Sequence, residues 1–162
     1  MNTLTFDMSR AMARPTSAAR SQVTLLLVDD DAILRKLIST VLTLSGYSVV
    51  SAPDGPTALA IAENIDVAML ITDFQMPGMD GCTLARTLTE RQPFLPVLVV
   101  SGSNMEDLPA KEIAQRSWNF LAKPLDNERL LRIIDRECLR NPAAPLENSH
   151  QQSKTAPYPF FR

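Results

Sequence analysis

The sequence predicts an α/β fold in which five parallel strands form a doubly wound sheet with helices on both faces. Short unbroken apolar runs alternate with longer amphipathic segments through residues 22–140. Such alternation is typical of strands buried on both faces and of helices buried on one. The chain has 162 residues, of which 45% are hydrophobic and 21% charged. That length and composition favour one globular domain.

The first two strand and helix pairs occupy residues 23–62. Residues 23–28 form an apolar run of strand length, and the next segment has apolar residues at helical spacing, with Gly46 placed to end the helix. The predicted buried face of this helix comprises Ile33, Leu34, Leu37, Ile38, Val41 and Leu42. Residues 47–52 form the second strand, and Pro56 suits the first turn of the short helix that follows.

The remaining three pairs repeat this order. The predicted strands are residues 67–72, 97–100 and 119–122. The predicted helices are one that follows Gly78 and Gly81 and buries Leu84, Ala85 and Leu88, one from 104 to about 116, and one from 126 to 140. These elements therefore predict a single domain that spans residues 22–140.

The two ends of the chain differ in charge from the predicted domain. Residues 1–20 have three arginines and one acid and carry +2, residues 141–162 carry +1, and the total of −2 leaves −5 for residues 21–140. An acidic domain argues against direct binding of nucleic acid and is compatible with a cation site. We expect residues 1–21 to be a disordered extension and residues 141–162, which contain four prolines, to be a disordered tail.

The cysteines and the hydropathy pattern predict a cytoplasmic protein. Cys82 and Cys138 lie 56 residues apart without a second candidate ligand nearby, which favours reduced thiols over a zinc site or a disulfide. No apolar run approaches the roughly 18 residues that a membrane span needs, and the first residues lack the apolar core of a secretory signal.

The informative positions are those that end the strands, because open parallel sheets bind ligands outside the carboxyl ends of their strands. Three acids follow the first strand, one acid follows the third, a hydroxyl follows the fourth and an amine follows the fifth. In chain order these residues are Asp29, Asp30, Asp31, Asp73, Ser101 and Lys123. We expect them to converge on one edge of the sheet.

These side chains predict a site for a divalent cation and a phosphoryl group. Placing Asp29 or Asp30, or both, beside Asp73 costs roughly 1 kcal/mol per like-charged pair in water and about 4 kcal/mol at an intermediate dielectric. One lysine cannot balance that charge, whereas Mg²⁺ binds carboxylate and carbonyl oxygens and retains several waters. Lys123 and the Ser101 hydroxyl would contact phosphoryl oxygens, and Asp73 would be the nucleophile that forms an acyl phosphate.

Four segments resemble the receiver domain of two-component response regulators, and the single-domain chemotaxis regulator in particular. They are LLVDDD at 26–31, ITDFQMPGMDG at 71–81, VVSG at 99–102 and FLAKP at 120–124. The resemblance covers about residues 22–139 and implies the flavodoxin-like receiver fold. It also implies a phosphoacceptor signalling protein rather than an enzyme, one that promotes only its own phosphorylation and dephosphorylation.

The resemblance implies a role for each site residue. Asp29 and Asp30 would hold magnesium, Asp30 most directly, and Asp73 with the backbone carbonyl of Gln75 would complete the protein ligands. Asp73 would accept the phosphoryl group from a histidine kinase or a phosphotransfer protein. Lys123 would pair with that group.

A switch is implied as well. Ser101 would shift toward the phosphoryl group and Phe120 would turn inward, so that the fourth helix, fifth strand and fifth helix present a changed face to a protein target that the sequence does not identify. The bond between Lys123 and Pro124 would be cis, which is a small cost before proline.

The sequence departs from the family pattern in two places. Residues 115–119 lack the usual Gly-Ala, which leaves the end of the fourth helix undefined, and Trp118 within them has two readings, as core packing or as a partner contact on the output face. The interval from Asp73 to Ser101 is 28 residues, slightly short for the family, which we assign to a trimmed loop near residues 92–95.

Two alternative functions stay open. A haloacid-dehalogenase-type phosphatase would use the Asp-x-Asp within residues 29–31, but it needs a further acidic cluster and leaves Asp73 unexplained. A non-phosphorylated interaction module of the same fold is the second. No helix-turn-helix or enzymatic segment is visible after residue 140, so we expect a single-domain regulator that acts as an output adaptor, a phosphate shuttle or a sink.

Overall fold

The computed structural model describes residues 16–102 and 109–139 and contains a five-stranded parallel sheet covered by helices. The strands are β1 Thr24–Val28, β2 Ser48–Ala52, β3 Met69–Asp73, β4 Val97–Ser101 and β5 Asn119–Ala122. The helices are α1 Ala32–Leu44, α2 Gly55–Ala62, α3 Gly81–Arg91, α4 Ala110–Gln115 and α5 Asn127–Leu139. A single helical turn, Ser17–Arg20, precedes β1. The predicted fold class is confirmed.

The order of the strands places a crevice at the centre of the sheet. The order is β2-β1-β3-β4-β5, and each neighbouring pair is parallel. The chain moves outward from β1 to β2 and then returns past β1 to β3, so the winding direction reverses between β1 and β3. The carboxyl ends of β1 and β3 therefore flank the position where doubly wound sheets bind ligands.

Alternate residues of the strands feed two hydrophobic layers. Leu26 and Val28 of β1 face one layer, which α2, α3 and α4 cover, and Leu25 and Leu27 face the other, which α1 and α5 cover. All four side chains are at most 1% exposed. Because both faces of the sheet are buried, the strands read as continuous apolar runs in the sequence.

The predicted strands differ from the observed ones by at most two residues at either end, and β5 matches at both ends. Val23, Tyr47 and Val67 precede their strands but are buried, so the hydrophobic pattern counted them as strand residues. In contrast, β3 and β4 extend one residue further than predicted and end on Asp73 and Ser101. Both polar residues thus take part in the sheet rather than in a loop.

The predicted buried face of α1 is wrong at two positions. Ile38 and Leu42 are buried, whereas Ile33 is 83% exposed and Leu37 is 59% exposed. The apolar residues of α1 spread over about half of the helix circumference, and the sheet covers only the strip centred on Ile38. Spacing alone could not show which half of that wide apolar surface would face inward.

The carboxyl end of α4 is well defined although residues 115–119 lack the usual Gly-Ala. The amide of Ser117 donates to the carbonyl of Ala114 at 3.2 Å, and that of Trp118 donates to the carbonyl of Ile113 at 3.0 Å. These are the bonds of a Schellman motif, which places Ser117 in the left-handed region with a φ of 55°. Gly46, with a φ of 97°, ends α1 in the same way, as predicted.

Trp118 is buried in the hydrophobic layer that α2, α3 and α4 cover. Its side chain is 8% exposed, and it packs with Ile113 in the same core. The guanidinium of Arg116 lies 5.3 Å from the centroid of its ring. The reading of Trp118 as core packing is therefore the one that fits the structure. Of the predicted helix 104–116, residues 104–108 lie outside the described part of the chain.

The turn Ser17–Arg20 lies within residues 1–21, which were predicted to be a disordered extension. Arg20 donates to both carboxylate oxygens of Asp135 in α5, at 3.1 and 2.7 Å, and to the carbonyl of Ser45 at 3.1 Å. Its guanidinium also lies 5.4 Å from the centroid of the Tyr47 ring. The turn is thus fixed to the end of the sheet opposite the carboxyl ends of the strands. Residues 1–15 and 140–162, where disorder is predicted, lie outside the described residues.

The two cysteines are reduced in the structure, and burial makes both unreactive. Cys82 and Cys138 are free thiols. Burial raises the pKa of Cys82 to about 11 and that of Cys138 to about 12. Within the described residues, no helix is both long and apolar enough to cross a membrane.

We predict that Ser117→Gly stabilises the domain. The left-handed backbone at Ser117 costs about 1 kcal/mol for a residue with a Cβ atom and little for glycine, so the free energy of unfolding should rise by about 0.5–1 kcal/mol. Urea denaturation of the two proteins measures this difference. The same substitution at Ser51, an exposed residue inside β2, is the control and should destabilise. A loss of stability in Ser117→Gly would contradict the strain argument.

Candidate functional site

The ends of three strands bring four charged side chains together. Asp29 follows β1, Asp73 is the last residue of β3 and Lys123 follows β5. Carboxylate oxygens of Asp29, Asp30 and Asp73 lie within 4.8 Å of one another. The Lys123 amine lies 3.2 Å from Asp29 Oδ2 and 3.1 Å from Asp73 Oδ1. The predicted convergence of these residues on one edge of the sheet is what the structure has.

Asp29 is held by hydrogen bonds on every side. Its backbone amide donates to the carbonyl of Ala52 at 3.4 Å, and its Oδ1 accepts from the amide of Asp31 at 2.8 Å. Its Oδ2 accepts from Lys123, and its carbonyl accepts from the guanidinium of Arg35 in α1. With a side chain only 3% exposed, Asp29 has one orientation, and both its carboxylate oxygens already have a donor.

The next two acids have different environments. Asp30 is exposed and directs its carboxylate to the same cluster. Asp31 instead caps α1, since its Oδ1 accepts from the amides of Ile33 at 2.8 Å and Leu34 at 3.0 Å. These two bonds lower the pKa of Asp31, and the bond from Leu34 has the larger effect. Asp31 is therefore needed to start the helix.

Asp73 and Lys123 influence each other's charge. Burial raises the pKa of Asp73, the negative charge of Asp29 adds to that effect, and the bond and charge of Lys123 oppose it. For Lys123, burial lowers the pKa, but the hydrogen bond and charge of Asp73, together with those of Asp29, outweigh it, so the net pKa is raised. The amine thus stays protonated between the two carboxylates.

The cluster has the donors that a hard divalent cation requires. Three carboxylates face one amine, which leaves two negative charges uncompensated at this edge of the sheet. Carboxylate oxygens are the preferred protein ligands of Mg²⁺, and Asp30 lies open to solvent where water can complete the coordination. Gln75 and Asp30 share the lining of an open depression beside the cluster, together with Phe74, Met76, Pro77 and Asp80. The residues present therefore fit a magnesium ion.

Gly81 allows the loop after β3 to fold back against Asp73. The amide of Gly81 donates to the carbonyl of Phe74 at 3.0 Å, and a Cβ atom on Gly81 would lie 2.1 Å from the carbonyl oxygen of Asp73 and 2.9 Å from Thr72 Oγ1. Only glycine fits there. The sequence pattern indicated Gly81 only as a loop residue. It did not indicate Arg35, because the contact of Arg35 is to a backbone carbonyl.

The two predicted switch residues lie on β4 and β5, the two strands that follow β3 in the sheet. Ser101 ends β4 and is 1% exposed, and its carbonyl accepts from the amide of Lys123 at 2.8 Å. Phe120 is half-buried on β5, opposite Val99. It packs against the hydrophobic layer that α2, α3 and α4 cover. The peptide bond between Lys123 and Pro124 is cis, as predicted.

Comparison with protein families matches residues 25–135 to the response regulator receiver domain. The transcriptional regulatory protein GlrR of Escherichia coli strain K12 is 37% identical over 111 residues, which are 68% of this chain and 25% of that protein. A cyclic di-GMP phosphodiesterase of Thermotoga maritima is 34% identical over 119 residues, which are 74% of this chain and 32% of that protein. The chain thus spans about a quarter to a third of the length of these relatives.

Solved structures show the same fold. A response regulator receiver domain protein from Clostridium thermocellum superposes with a TM-score of 0.68 at 24% identity, covering 74% of this chain and 96% of that chain. The chemotaxis protein CheY4 of Vibrio cholerae superposes with a TM-score of 0.64 at 29% identity, covering 71% of this chain and 98% of that chain.

We predict that Gly81→Ala destabilises the domain by about 2 kcal/mol or more, because the added methyl group must displace the Asp73 carbonyl or the loop. Thermal unfolding measures the effect. Gly102→Ala is the matched control, since a Cβ atom there meets Lys123 Cδ at an ordinary 3.7 Å, and it should leave stability within about 1 kcal/mol. Equal effects of the two substitutions would contradict the assigned role of Gly81.

Proposed function

Because this chain belongs to the response regulator receiver domain family, we propose that Asp73 is its phosphoacceptor in two-component signalling. The observation that carries the proposal is the position of Asp73 at the end of a central strand, 7% exposed, with the Lys123 amine 3.1 Å from one of its oxygens. A carboxylate that lies at the edge of the sheet beside a lysine is suited to attack phosphorus. The donor would be a histidine kinase or a phosphotransfer protein, as in the family.

In the transfer step, an oxygen of Asp73 attacks the phosphorus of a phosphohistidine on the donor. The O–P bond forms as the P–N bond breaks, and the imidazole nitrogen takes the electron pair of the broken bond and then a proton from water. Lys123 compensates charge on the phosphoryl oxygens, and it is already held in place by Asp29. The fixed geometry of these residues lowers the cost of organising them for the reaction.

We propose further that Asp29, Asp30 and Asp73, with the backbone carbonyl of Gln75, hold Mg²⁺. When bound, the ion would supply the positive charge that the cluster lacks and a coordination position for a phosphoryl oxygen. Asp29 contributes a carboxylate of fixed orientation, and Asp30 contributes an exposed one that can adjust. Arg35 contributes indirectly, because it fixes the Asp29 carbonyl at the start of the loop.

The signal would pass through the edge of the sheet. The buried hydroxyl of Ser101 ends the strand beside β3, within reach of a group on Asp73, and a shift of Ser101 would open space for Phe120 two strands from Asp73. The changed surface would then consist of α4, β5 and α5. We propose residues 22–140 as the extent of the receiver unit. That the chain acts as a single-domain regulator stays a prediction, since its relatives are several times longer.

We predict that Asp73→Asn abolishes labelling by radioactive acetyl phosphate, because the amide cannot form the acyl phosphate. Asp66→Asn, an exposed acid away from the cluster, is the control and should be labelled normally. Asp29→Asn distinguishes the alternative phosphatase chemistry, in which an acid of the 29–31 segment would be the nucleophile. Label that persists in Asp73→Asn and is lost in Asp29→Asn would overturn the assignment of Asp73.

We predict that Asp30→Asn weakens Mg²⁺ binding roughly tenfold to a hundredfold, because it removes one ligand charge at contact distance. Isothermal titration of the unphosphorylated protein with MgCl₂ measures the affinity without relying on phosphorylation. Asp31→Asn is the matched control, since an asparagine still caps α1, and its affinity should stay close to that of the parent protein. The proposed ligand set is wrong if Asp31→Asn weakens binding as much as Asp30→Asn does.

A further inference from the structure

The outward side of α1 has an apolar stripe that the core does not cover. Among the described residues, four large apolar side chains are exposed, and three of them, Ile33, Leu37 and Leu44, belong to α1. Their exposed fractions are 83%, 59% and 83%. At 100° per residue they lie within about 40° of one another and extend about 16 Å along the helix. They therefore lie along one side of the helix, and we call this set of residues the α1 stripe.

Each end of the α1 stripe borders a defined part of the molecule. Ile33 is in the first turn of the helix that Asp31 caps, so this end lies beside Asp30 and the acidic cluster. Leu44 is the last residue of α1, two positions before Gly46. A Cβ atom on Gly46 would lie 3.1 Å from Ser17 Oγ, so this end lies beside the N-terminal turn.

The N-terminal turn is fixed at that place by Arg20. The guanidinium makes a two-bond ion pair with Asp135, and both side chains are at most 20% exposed. It also bonds to the carbonyl of Ser45 and stacks over Tyr47. A bidentate and sheltered ion pair of this kind is stronger than an ordinary surface pair. The described chain therefore begins, at residue 16, next to the end of the α1 stripe.

We propose that residues 1–15 pack along the α1 stripe and cover it. The segment contains four large apolar residues besides the initial methionine, namely Leu4, Phe6, Met8 and Met12. Fifteen extended residues span up to about 50 Å. The segment can therefore cover the stripe, which is about 16 Å long, without being fully extended. Residues 1–15 contain Arg10, Arg14 and Asp7 and so carry +1, against −5 on residues 21–140. A short tether gives an effective concentration of about 1 mM, so a weak contact is enough.

The geometry favours this segment over two other occupants. Residues 140–162 include Tyr158, Phe160 and Phe161, but 18 residues separate Leu139 from Tyr158, which lowers their effective concentration at the stripe. A second copy of the chain would have to compete with a tethered segment.

Hydrogen exchange of residues 32–44 tests the proposal, comparing the full chain with a chain that starts at residue 16. We expect exchange to be about tenfold slower in the full chain, as for a contact with a dissociation constant of about 0.1 mM at an effective 1 mM. The combined variant Phe6→Ser, Met8→Ser and Met12→Ser should match the shortened chain. Phe94→Ser, an exposed apolar residue outside the stripe, is the control and should leave the exchange rates unchanged.

Three results would overturn the proposal. They are equal rates in the full and shortened chains, faster exchange on removal of residues 140–162 alone, and protection that rises with protein concentration, which would indicate a second copy. The full chain with Asp73→Asn should keep the protection. Failure of the phosphoacceptor assignment would therefore leave this test intact, and failure of this test would leave labelling at Asp73 intact.

Discussion

The contact of one amine with two carboxylates is the interaction on which the site depends. Lys123 lies 3.2 Å from Asp29 and 3.1 Å from Asp73, and in this way an edge strand, β5, is tied to the two strands that flank the crevice. Two carboxylates that are nearly buried would each cost several kcal/mol without such a partner. The position of β5 in the sheet places Lys123 between the two carboxylates. The strand order therefore determines the electrostatic balance of the site.

Three consecutive identical residues acquire three different roles from their position on the chain. Asp29 is fixed by donors to both its oxygens, Asp30 is exposed toward the cluster, and Asp31 caps α1. The tight turn between β1 and α1 produces this division, because successive side chains leave the backbone in different directions. Two residues outside the cluster support it. Arg35 stabilises the turn after β1 by a hydrogen bond to the Asp29 carbonyl, and Gly81 lets the loop after β3 pack closely because it has no side chain.

The sequence alone was sufficient for the fold class and for the residues at the strand ends, because a parallel sheet with covered faces forces those ends onto one edge. It was insufficient wherever an outcome depended on contacts distant in the chain. The inward direction of α1 was mispredicted at Ile33 and Leu37, since the helix has more apolar surface than the sheet covers. The helical turn Ser17–Arg20 is held by the contact of Arg20 with Asp135, which lies 115 positions further along the chain. No local pattern indicates such a partner.

The burial of Trp118 gives the molecule an optical property. It is the single tryptophan of the sequence, it lies between α4 and β5, and it sits under the guanidinium of Arg116. Intrinsic fluorescence excited at the indole therefore originates from one position, on the side of the domain proposed to change shape and away from the acidic cluster. Emission from this protein therefore reports on the environment of the α4–β5 junction alone.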